Sequence, residues 1–477
     1  MPPESPVKKT NQPTTVSLAP PEAWEPLLRA LRIARKPLDH FLHIQAASGT
    51  LLLLTAAVAL IWANSPWAHT YDSLWQTTVG FSLGDLKFER SLVWIVNDVL
   101  MVIFFFVVGL EIRREIYQGE LSQFQRATLP VAAAIGGMLL PAILYLAIAG
   151  DPATKSGWGV PMATDIAFAV GILTLLGNRA PPALRVLLLA VAVIDDLGAI
   201  LVIAFFYSSG ISISGVLIAL LGFSAIFLMQ RLAVRAKIAY VAPAAVAWAG
   251  IYAAGIHPTI AGVLVGFMTP VKAWLGPWGY LQKITGDMEL IDKSTVNVVP
   301  SHDLAVTLRH LKSAQREVLS PTDSLIESLH PWVAFVIMPI FALANAGVPL
   351  ADLTFDARSS TVIVAVCVGL ILGKPLGILL FSWLAIKLRL ASLPVGITFK
   401  HLLVLGIVAG VGFTMALFIG QLAFSDVTLL GAAKLGILIA SGVAAVLALI
   451  SGRLMLSTNL PAGTAQTADD AESSTDR

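Results

Sequence analysis

The stretch VAVIDDLGAIL, residues 191 to 201, places two adjacent aspartates, Asp195 and Asp196, in the middle of a long apolar run. The run covers 186 to 207, and a membrane-spanning helix needs about 20 mostly apolar residues. About ten residues, or roughly 15 Å of helix, separate the pair from either end. A charged side chain at such a depth costs about 2.5 to 3.5 kcal/mol and should face the protein interior or a water-filled cavity. The pair is therefore a candidate functional site.

The composition excludes an ordinary soluble domain. Of the 477 residues, 57% are hydrophobic and 13% are charged, and the mean hydropathy is +0.81, whereas about a quarter of the residues in soluble domains are charged. The net charge of +2 comes from short clusters between apolar runs, which gives no basic face for nucleic acid. The single cysteine, Cys367, lies inside an apolar run, which excludes a disulfide framework and a cysteine metal site. The sequence is typical of a multi-pass membrane protein.

Working outward from the two aspartates, twelve apolar segments predict an all-α bundle of twelve transmembrane helices. They cover residues 45–63, 92–110, 128–149, 161–177, 186–207, 212–230, 238–256, 257–271, 332–348, 361–386, 401–424 and 431–452.

The chain divides into a helical domain and polar segments. We expect a cytoplasmic tail over 1–43, a twelve-helix domain over 44–453 with a long cytoplasmic loop over 275–330, and a cytoplasmic tail over 454–477. The N-terminal tail lacks the early apolar stretch of a signal peptide, so the first helix is expected to be retained. The long loop and the tail after residue 459 are polar enough to be partly disordered.

The positions of lysine and arginine test the helix count, because cytoplasmic loops carry an excess of both. If the N-terminus is cytoplasmic, 25 of the 31 lysines and arginines lie in segments that face the cytoplasm. Five lie in outer segments, and Lys374 lies within a span. A missed or additional helix would invert every later loop. The bias therefore predicts twelve spans with both termini in the cytoplasm.

Two further charged residues, Asp165 and Lys374, fall near the centres of predicted helices. Together with the aspartate pair they would cost roughly 10 kcal/mol in a bilayer, too much to arise without a role. Neighbouring helix residues point about 100° apart, so Asp195 and Asp196 cannot both face one partner. One carboxylate can bind an ion while the other contacts Lys374. The alternative is a set of buried polar residues that neighbouring helices satisfy.

Paired carboxyl groups away from water can bind two kinds of cation. Burial and a like-charged neighbour both favour the protonated form of a carboxylic acid, while ionised carboxylate oxygens suit a small hard cation. Protons and a metal ion would then displace each other at one site. This competition is the thermodynamic basis of an antiporter, and it requires no resident cofactor.

Glycine and proline interrupt two of the predicted spans. GWGVPMATDIAFAVG (157–171) and LGIVAGVGFTMALFIG (405–420) occupy corresponding places in the two halves of the chain. Such segments point to discontinuous, crossed helices around a site at the bilayer midplane, as in inverted-repeat transporters. Facing helix ends carry partial charges, and Asp165 and Lys374 have the signs to offset one each. Close packing of small residues is the alternative explanation.

Five motifs resemble those of the NhaA-type sodium/proton antiporters. They are VNDVLMVIFFFVVGLEIRRE (96–115), ATDIAFAVG (163–171), VIDDLGAILVIAFFY (193–207), HPWVAFVIMPIFALANAG (330–347) and LGKPLGI (372–378). The resemblance runs in order from about residue 47 to 453, and the motifs are highly specific in combination. It implies an inverted-repeat fold with two broken helices.

The resemblance also implies roles for residues near the two breaks. Asp196 would be the principal ion ligand and proton carrier, and Asp195, which also takes part in ion and proton binding, would pair with Lys374. Thr164 and Asp165 would lie in the unwound segment beside the site as further ligands, with Asp165 and Lys374 compensating charge. The transported ions would be sodium or lithium and protons.

Outside this site, the resemblance implies a functional carboxylate at Asp98 in the outer part of the second helix and a pH sensor at the cytoplasmic ends. The sensor candidates are Glu111, Arg114, Glu115, Glu327 and His330. His330 is the best placed by its intrinsic titration range, although LEIRRE alone also reads as an ordinary charged helix end. Ser328 stands where some members carry a second histidine, and the loop before Glu327 is unusually long. His257 is expected to be structural.

Residues 77–89 alternate around Gly84-Asp85 like a β-hairpin on the outer face. Its edge could pair between subunits in a homodimer, and an ordinary loop is the alternative.

Taken together, these features predict an electrogenic sodium/proton antiporter of the bacterial inner membrane that works by alternating access, exports sodium for more than one proton and is regulated by pH. A passive cation channel would need ligands along an open path. An intramembrane aspartyl protease would need two aspartates on different helices facing one water, which Asp165 and Asp196 could provide. Both remain alternatives at this point.

Overall fold

The computed structural model is described over residues 45–83, 86–208, 210–234, 236–273, 320–350 and 356–456. The predicted N-terminal tail, the C-terminal tail beyond residue 456 and most of the predicted loop over 275–330 lie outside these ranges. In chain order the elements are α1 (Gln45–Ala63), α2 (Ala68–Gln76), β1 (Thr78–Leu83), β2 (Leu86–Ser91), α3 (Leu92–Gln118), α4 (Phe124–Ile148), α5 (Pro152–Met162), α6 (Ile166–Leu175), α7 (Pro182–Phe206), α8 (Ile213–Arg231), α9 (Lys237–Ala253), α10 (Thr259–Met268), α11 (Pro321–Asn345), α12 (Ala357–Lys387), α13 (Phe399–Ala409), α14 (Phe413–Ala423) and α15 (Val427–Met455).

The helices are long and apolar enough for a multi-pass membrane protein. Within the described residues, seven helices could each cross a membrane, and three bent pairs raise the number to ten if each pair is one span. The bent pairs are α1 with α2, α5 with α6, and α13 with α14. The shorter apolar helices α9 and α10 lie where the seventh and eighth segments were predicted. The count of twelve spans and the inverted repeat stay predictions.

The start of α11 corrects the sequence interpretation. The predicted span began at residue 332, but the helix begins at Pro321, so the final part of the predicted loop is helical. Proline suits the first turn of a helix, and the hydroxyl of Ser320 accepts a hydrogen bond from the backbone N–H of Asp323 at 3.0 Å. The first half of α11 is polar, so a hydropathy scan does not detect it as a membrane helix.

The predicted hairpin is confirmed, and the ordinary-loop alternative was wrong. Strands β1 and β2 pair antiparallel from Thr78 opposite Ser91 to Leu83 opposite Leu86. We call the end of the bundle that carries this hairpin the outer end, following the predicted orientation. Pairing of the hairpin between two copies of the chain stays a prediction.

Small residues allow the closest helix contacts. Helices α4 and α12 pack along each other, as do α3 with α10 and α8 with α9. In the first pair, a Cβ added to Gly136 would lie 2.2 Å from the carbonyl oxygen of Gly377, and one added to Gly377 would lie 2.1 Å from that of Gly136. Glycine at these contacts lets the backbones approach closely, as is common between membrane helices.

We expect Gly377→Ala to lower the thermal stability of the protein in detergent and to reduce its activity. The new methyl group meets backbone rather than a flexible side chain, so α4 and α12 must separate, and Lys374 lies one turn away on the same helix. Gly442→Ala in α15 is the control, because a Cβ there meets nothing within 4 Å. Equal melting temperatures for the two variants would contradict this packing.

Candidate functional site

The two interrupted spans meet at their breaks. The chain bends by 48° between α5 and α6 and by 50° between α13 and α14. The backbone N–H of Asp165 donates to the carbonyl oxygen of Val411 at 2.8 Å, and the hydroxyl of Thr164 donates to that of Ala409 at 3.1 Å. The approach is close, because a Cβ on Gly412 would lie 3.0 Å from the carbonyl oxygen of Ala163. Each break thus supplies part of the other's hydrogen bonding.

Asp165 joins the beginnings of the two second half-helices. One carboxylate oxygen accepts the backbone N–H of Phe168 at 3.0 Å, in the first turn of α6. The other accepts the backbone N–H of Thr414 at 3.2 Å and also its hydroxyl, in the first turn of α14. Helix N-termini carry partial positive charge, so one carboxylate offsets two of them. Thr414 was missed in the sequence, although it follows the second break directly.

Lys374 lies against Asp195 in the interior. Its ammonium group is 2.9 Å from a carboxylate oxygen of Asp195, and both side chains are fully buried. The ammonium also donates to the carbonyl oxygen of Met162, the last residue of α5. Thr164 donates to the same Asp195 oxygen at 2.8 Å. The lysine therefore offsets one carboxylate and the negative C-terminal end of one half-helix.

Asp196 has no such partner. The residue is 1% exposed, and neither of its carboxylate oxygens has a hydrogen-bond partner in the described part of the chain. The second oxygen of Asp195 is also unpaired there, and it faces Gly137, whose added Cβ would lie 3.9 Å away. A buried carboxylate without partners is costly unless it binds a proton or a cation. Within the cluster of Asp165, Asp195, Asp196 and Lys374, Asp196 is therefore the carboxylate that is free to bind a proton or a cation.

The remaining candidates lie elsewhere. Asp98 is 3.6 Å from the ring of His257, and the backbone carbonyl of Asp98 accepts the indole N–H of Trp248 at 3.3 Å. The His257 ring also bonds to the hydroxyl of Thr259 at 2.8 Å, which suits a role in packing. The function of Asp98 stays a prediction.

The predicted pH-sensing residues gather where α3 ends and α11 begins. Glu111 and the ring of His330 are 3.5 Å apart, and a carboxylate oxygen of Glu115 accepts the backbone N–H of Glu120 at 2.7 Å. Arg114 lies one turn beyond Glu111, and Glu327 one turn before His330. Control of transport by pH through this group stays a prediction.

The unpaired carboxylate oxygens are the possible cation ligands of the site. Within the described residues, no three histidine, cysteine or acidic side chains form a group that could hold a metal ion. The unpaired oxygens of Asp195 and Asp196 are hard ligands that suit a small cation. Thr164 and both oxygens of Asp165 are engaged with protein groups in this conformation.

A multi-pass helical bundle with broken helices around buried opposite charges is the architecture of membrane transport proteins. The chain belongs to the family described as Na+/H+ antiporter 1, whose model matches residues 39–451.

Curated relatives match nearly their whole length. The chain is 61% identical over 466 residues to Na(+)/H(+) antiporter NhaA 2 of Myxococcus xanthus (strain DK1622), covering 98% of this chain and 99% of the relative. It is 53% identical over 459 residues to Na(+)/H(+) antiporter NhaA 2 of Sorangium cellulosum (strain So ce56), covering 96% and 98%. It is 48% identical over 433 residues to the protein of the same name from Pseudomonas putida (strain KT2440), covering 89% and 95%.

Proposed function

We propose that this protein is a secondary sodium/proton antiporter of the bacterial inner membrane. The observation that carries the proposal is the buried Asp196 carboxylate without a partner, beside the Asp195–Lys374 ion pair. Family membership supports the class, and the names of the relatives support sodium and protons as the exchanged ions. We further propose twelve spans with both termini in the cytoplasm, as the charge bias predicts.

The transport cycle follows from competition at one buried cluster. Protonated carboxyl groups cross from the outer side, release their protons to the cytoplasm and then bind sodium or lithium through Asp196, with Asp195 and Thr164 beside it. The ion-loaded site returns outward, where protons displace the ion. Asp165 and Lys374 hold the half-helix ends in both states by offsetting their partial charges.

Exchange at this site should be electrogenic. Asp195 and Asp196 can both carry protons, whereas one monovalent ion returns, so more protons than sodium ions move in each cycle. The membrane potential and the pH gradient then drive sodium out of the cell. Regulation by pH through the Glu111–His330 group is the further part of this proposal.

The two alternatives fit the site less well. A passive channel needs ligands along an open path, but Asp195 and Asp196 are each 1% exposed. A protease needs two aspartates that share one water, but both oxygens of Asp165 cap the N-termini of α6 and α14. Neither arrangement is that of a pore or of a catalytic dyad.

The test is uptake of isotopic sodium into proteoliposomes with and without an imposed pH gradient. We expect saturable sodium accumulation that requires the gradient and responds to an imposed membrane potential. Uptake that follows the sodium gradient alone, without saturation or proton movement, would indicate a channel and contradict the proposal.

We expect Thr164→Val to weaken the apparent affinity for sodium. The variant keeps the shape of the side chain but loses the hydroxyl that bonds to Asp195. In the proposed ion-loaded state the hydroxyl is a sodium ligand, and losing an interaction of about 1.5 to 3 kcal/mol with a charged group should lower the affinity about tenfold or more. Thr164→Ser, which keeps the hydroxyl, is the control and should stay near wild type. Equal transport kinetics in both variants would exclude Thr164 from the site.

A further inference from the structure

Three carboxamide side chains form a ring at the outer end of the bundle. Asn97 donates to the side-chain oxygen of Gln421 at 2.7 Å, Gln421 donates to that of Asn345, and Asn345 donates to that of Asn97 at 2.8 Å. Asn97 also donates to the side-chain oxygen of Asn345 at 3.5 Å, and Asn345 donates to the backbone carbonyl oxygen of Phe341 at 2.9 Å. We call these three residues the amide ring.

The amide ring joins three different helices. Asn97 belongs to the π-helical segment Ile95–Leu100 of α3, Asn345 is the last residue of α11, and Gln421 lies near the end of α14. Asn345 is fully buried, while Asn97 and Gln421 are partly exposed. Short π-helical segments occur frequently at functional sites. The ring therefore lies at the boundary between the packed interior and the outer surface.

An aromatic layer from the same three helices lies on the inner side of the ring. Phe418 of α14 packs against Phe105 of α3 at 5.3 Å and against Phe341 of α11 at 6.2 Å between ring centroids. All three aromatic side chains are at most 1% exposed. Two successive layers, one apolar and one hydrogen-bonded, thus close the contact among α3, α11 and α14.

Helix α14 connects these layers to the ion-binding cluster. Thr414, Phe418 and Gln421 are spaced by four and three residues, which places them on one face of the helix. Thr414 contacts Asp165 at the break, and Gln421 lies about 10 Å further along the axis at 1.5 Å per residue. Any path from the outer surface along this face would have to pass the amide ring and the aromatic layer.

We propose that the amide ring is the latch of an outer gate, closed in this structure, which separates when the site opens outward. This inference rests on the proposed antiport function. Amides stay neutral across the physiological pH range, so the latch can close whether the site carries protons or sodium. Water can replace the bonds of partly exposed amides, which suits a contact that opens in each cycle. Every ring oxygen already accepts a bond from within the ring, which favours a latch over an additional cation site.

The first test cross-links the closed gate. In a Cys367→Ala background, which removes the only cysteine of the chain, Asn97→Cys and Gln421→Cys are joined with a short bis-methanethiosulfonate reagent, which forms a disulfide with each thiol and releases methanesulfinate. We expect exchange in proteoliposomes to fall about tenfold or more, because one of two required states can no longer be reached, and to recover after reduction. Each single-cysteine variant with the same reagent is the matched control and should keep exchanging.

A binding measurement separates the gate from the proposed function. Sodium added to the purified cross-linked protein should still release protons, because a link at the outer end leaves the inner end free to open. Exchange that persists after cross-linking, or proton release that disappears with it, would overturn the gate. Failure of sodium to release protons from the protein before cross-linking would instead contradict the antiport function.

The second test loosens the latch. Gln421→Leu keeps the bulk of the side chain but breaks two bonds of the ring, so the outward-open population should rise. Because less of the protein is then inward-open, the apparent sodium affinity should fall several-fold on the inner side. It should rise on the outer side, where more of the protein is open. Asn64→Leu is the matched control, because the bonds that Asn64 makes to described residues all go to backbone groups at the same end. Equal changes on both sides in the Gln421 variant would overturn the latch.

Discussion

Asp196→Asn is expected to abolish sodium/proton exchange while the protein remains folded and inserted. The substitution keeps the size of the side chain but removes the negative charge and the group that can bind a proton. Because neither oxygen of Asp196 bonds to another described residue, no structural contact is lost. The Asp195–Lys374 pair stays in place, so the variant isolates the ion-binding function from the fold.

The measurement uses everted membrane vesicles and the purified variant. We expect no proton movement when sodium is added to the vesicles and no sodium-induced proton release from the purified protein, with a melting temperature equal to or above that of wild type. Asp72→Asn, which changes an exposed carboxylate in α2, is the matched control and should transport normally. Full exchange by the Asp196 variant would refute the assignment of the site.

The sequence predicted most of the helical framework because the physical signals are strong. Long apolar runs are costly to expose to water, and buried charges such as Asp195 stand out within them. Glycine and proline marked both broken helices. Where the signal was weak, the prediction failed: α2 is short and polar, and the first half of α11 contains a cap and charged residues that a hydropathy scan takes for a loop.

The details of the site could not be predicted in the same way. Nothing in the spacing of Asp165 and Thr414 along the chain indicates that one carboxylate caps two helices. The amide ring joins residues separated by 248 and 324 positions. Placing a neutral amide in a membrane helix costs much less free energy than placing a charge there, so these residues do not stand out in the sequence. Such contacts depend on how helices pack, which one sequence does not reveal.

Lys374→Ala is expected to be the most destabilising single substitution at the site. Lys374 is fully buried and contacts both Asp195 and the C-terminal carbonyl of Met162. Removing one partner of a buried ion pair typically costs about 3 to 5 kcal/mol, because the other charge is left uncompensated. Thermal unfolding in detergent should show a large loss. Lys387→Ala is the control: its ammonium lies over the Trp383 ring on the exposed part of the same helix, which is worth only about 0.5 to 1 kcal/mol.

The pH dependence of this loss distinguishes a lone charge from a simple cavity. In Lys374→Ala, Asp195 can avoid its unpaired charge by binding a proton, so the stability deficit should shrink at low pH and grow as the pH rises. Adding Asp195→Asn removes the lone charge and should restore much of the lost stability at neutral pH. A deficit that is the same at every pH, and that persists in the double variant, would mean that Lys374 acts by filling space. Charge compensation where the two breaks meet would then need another source.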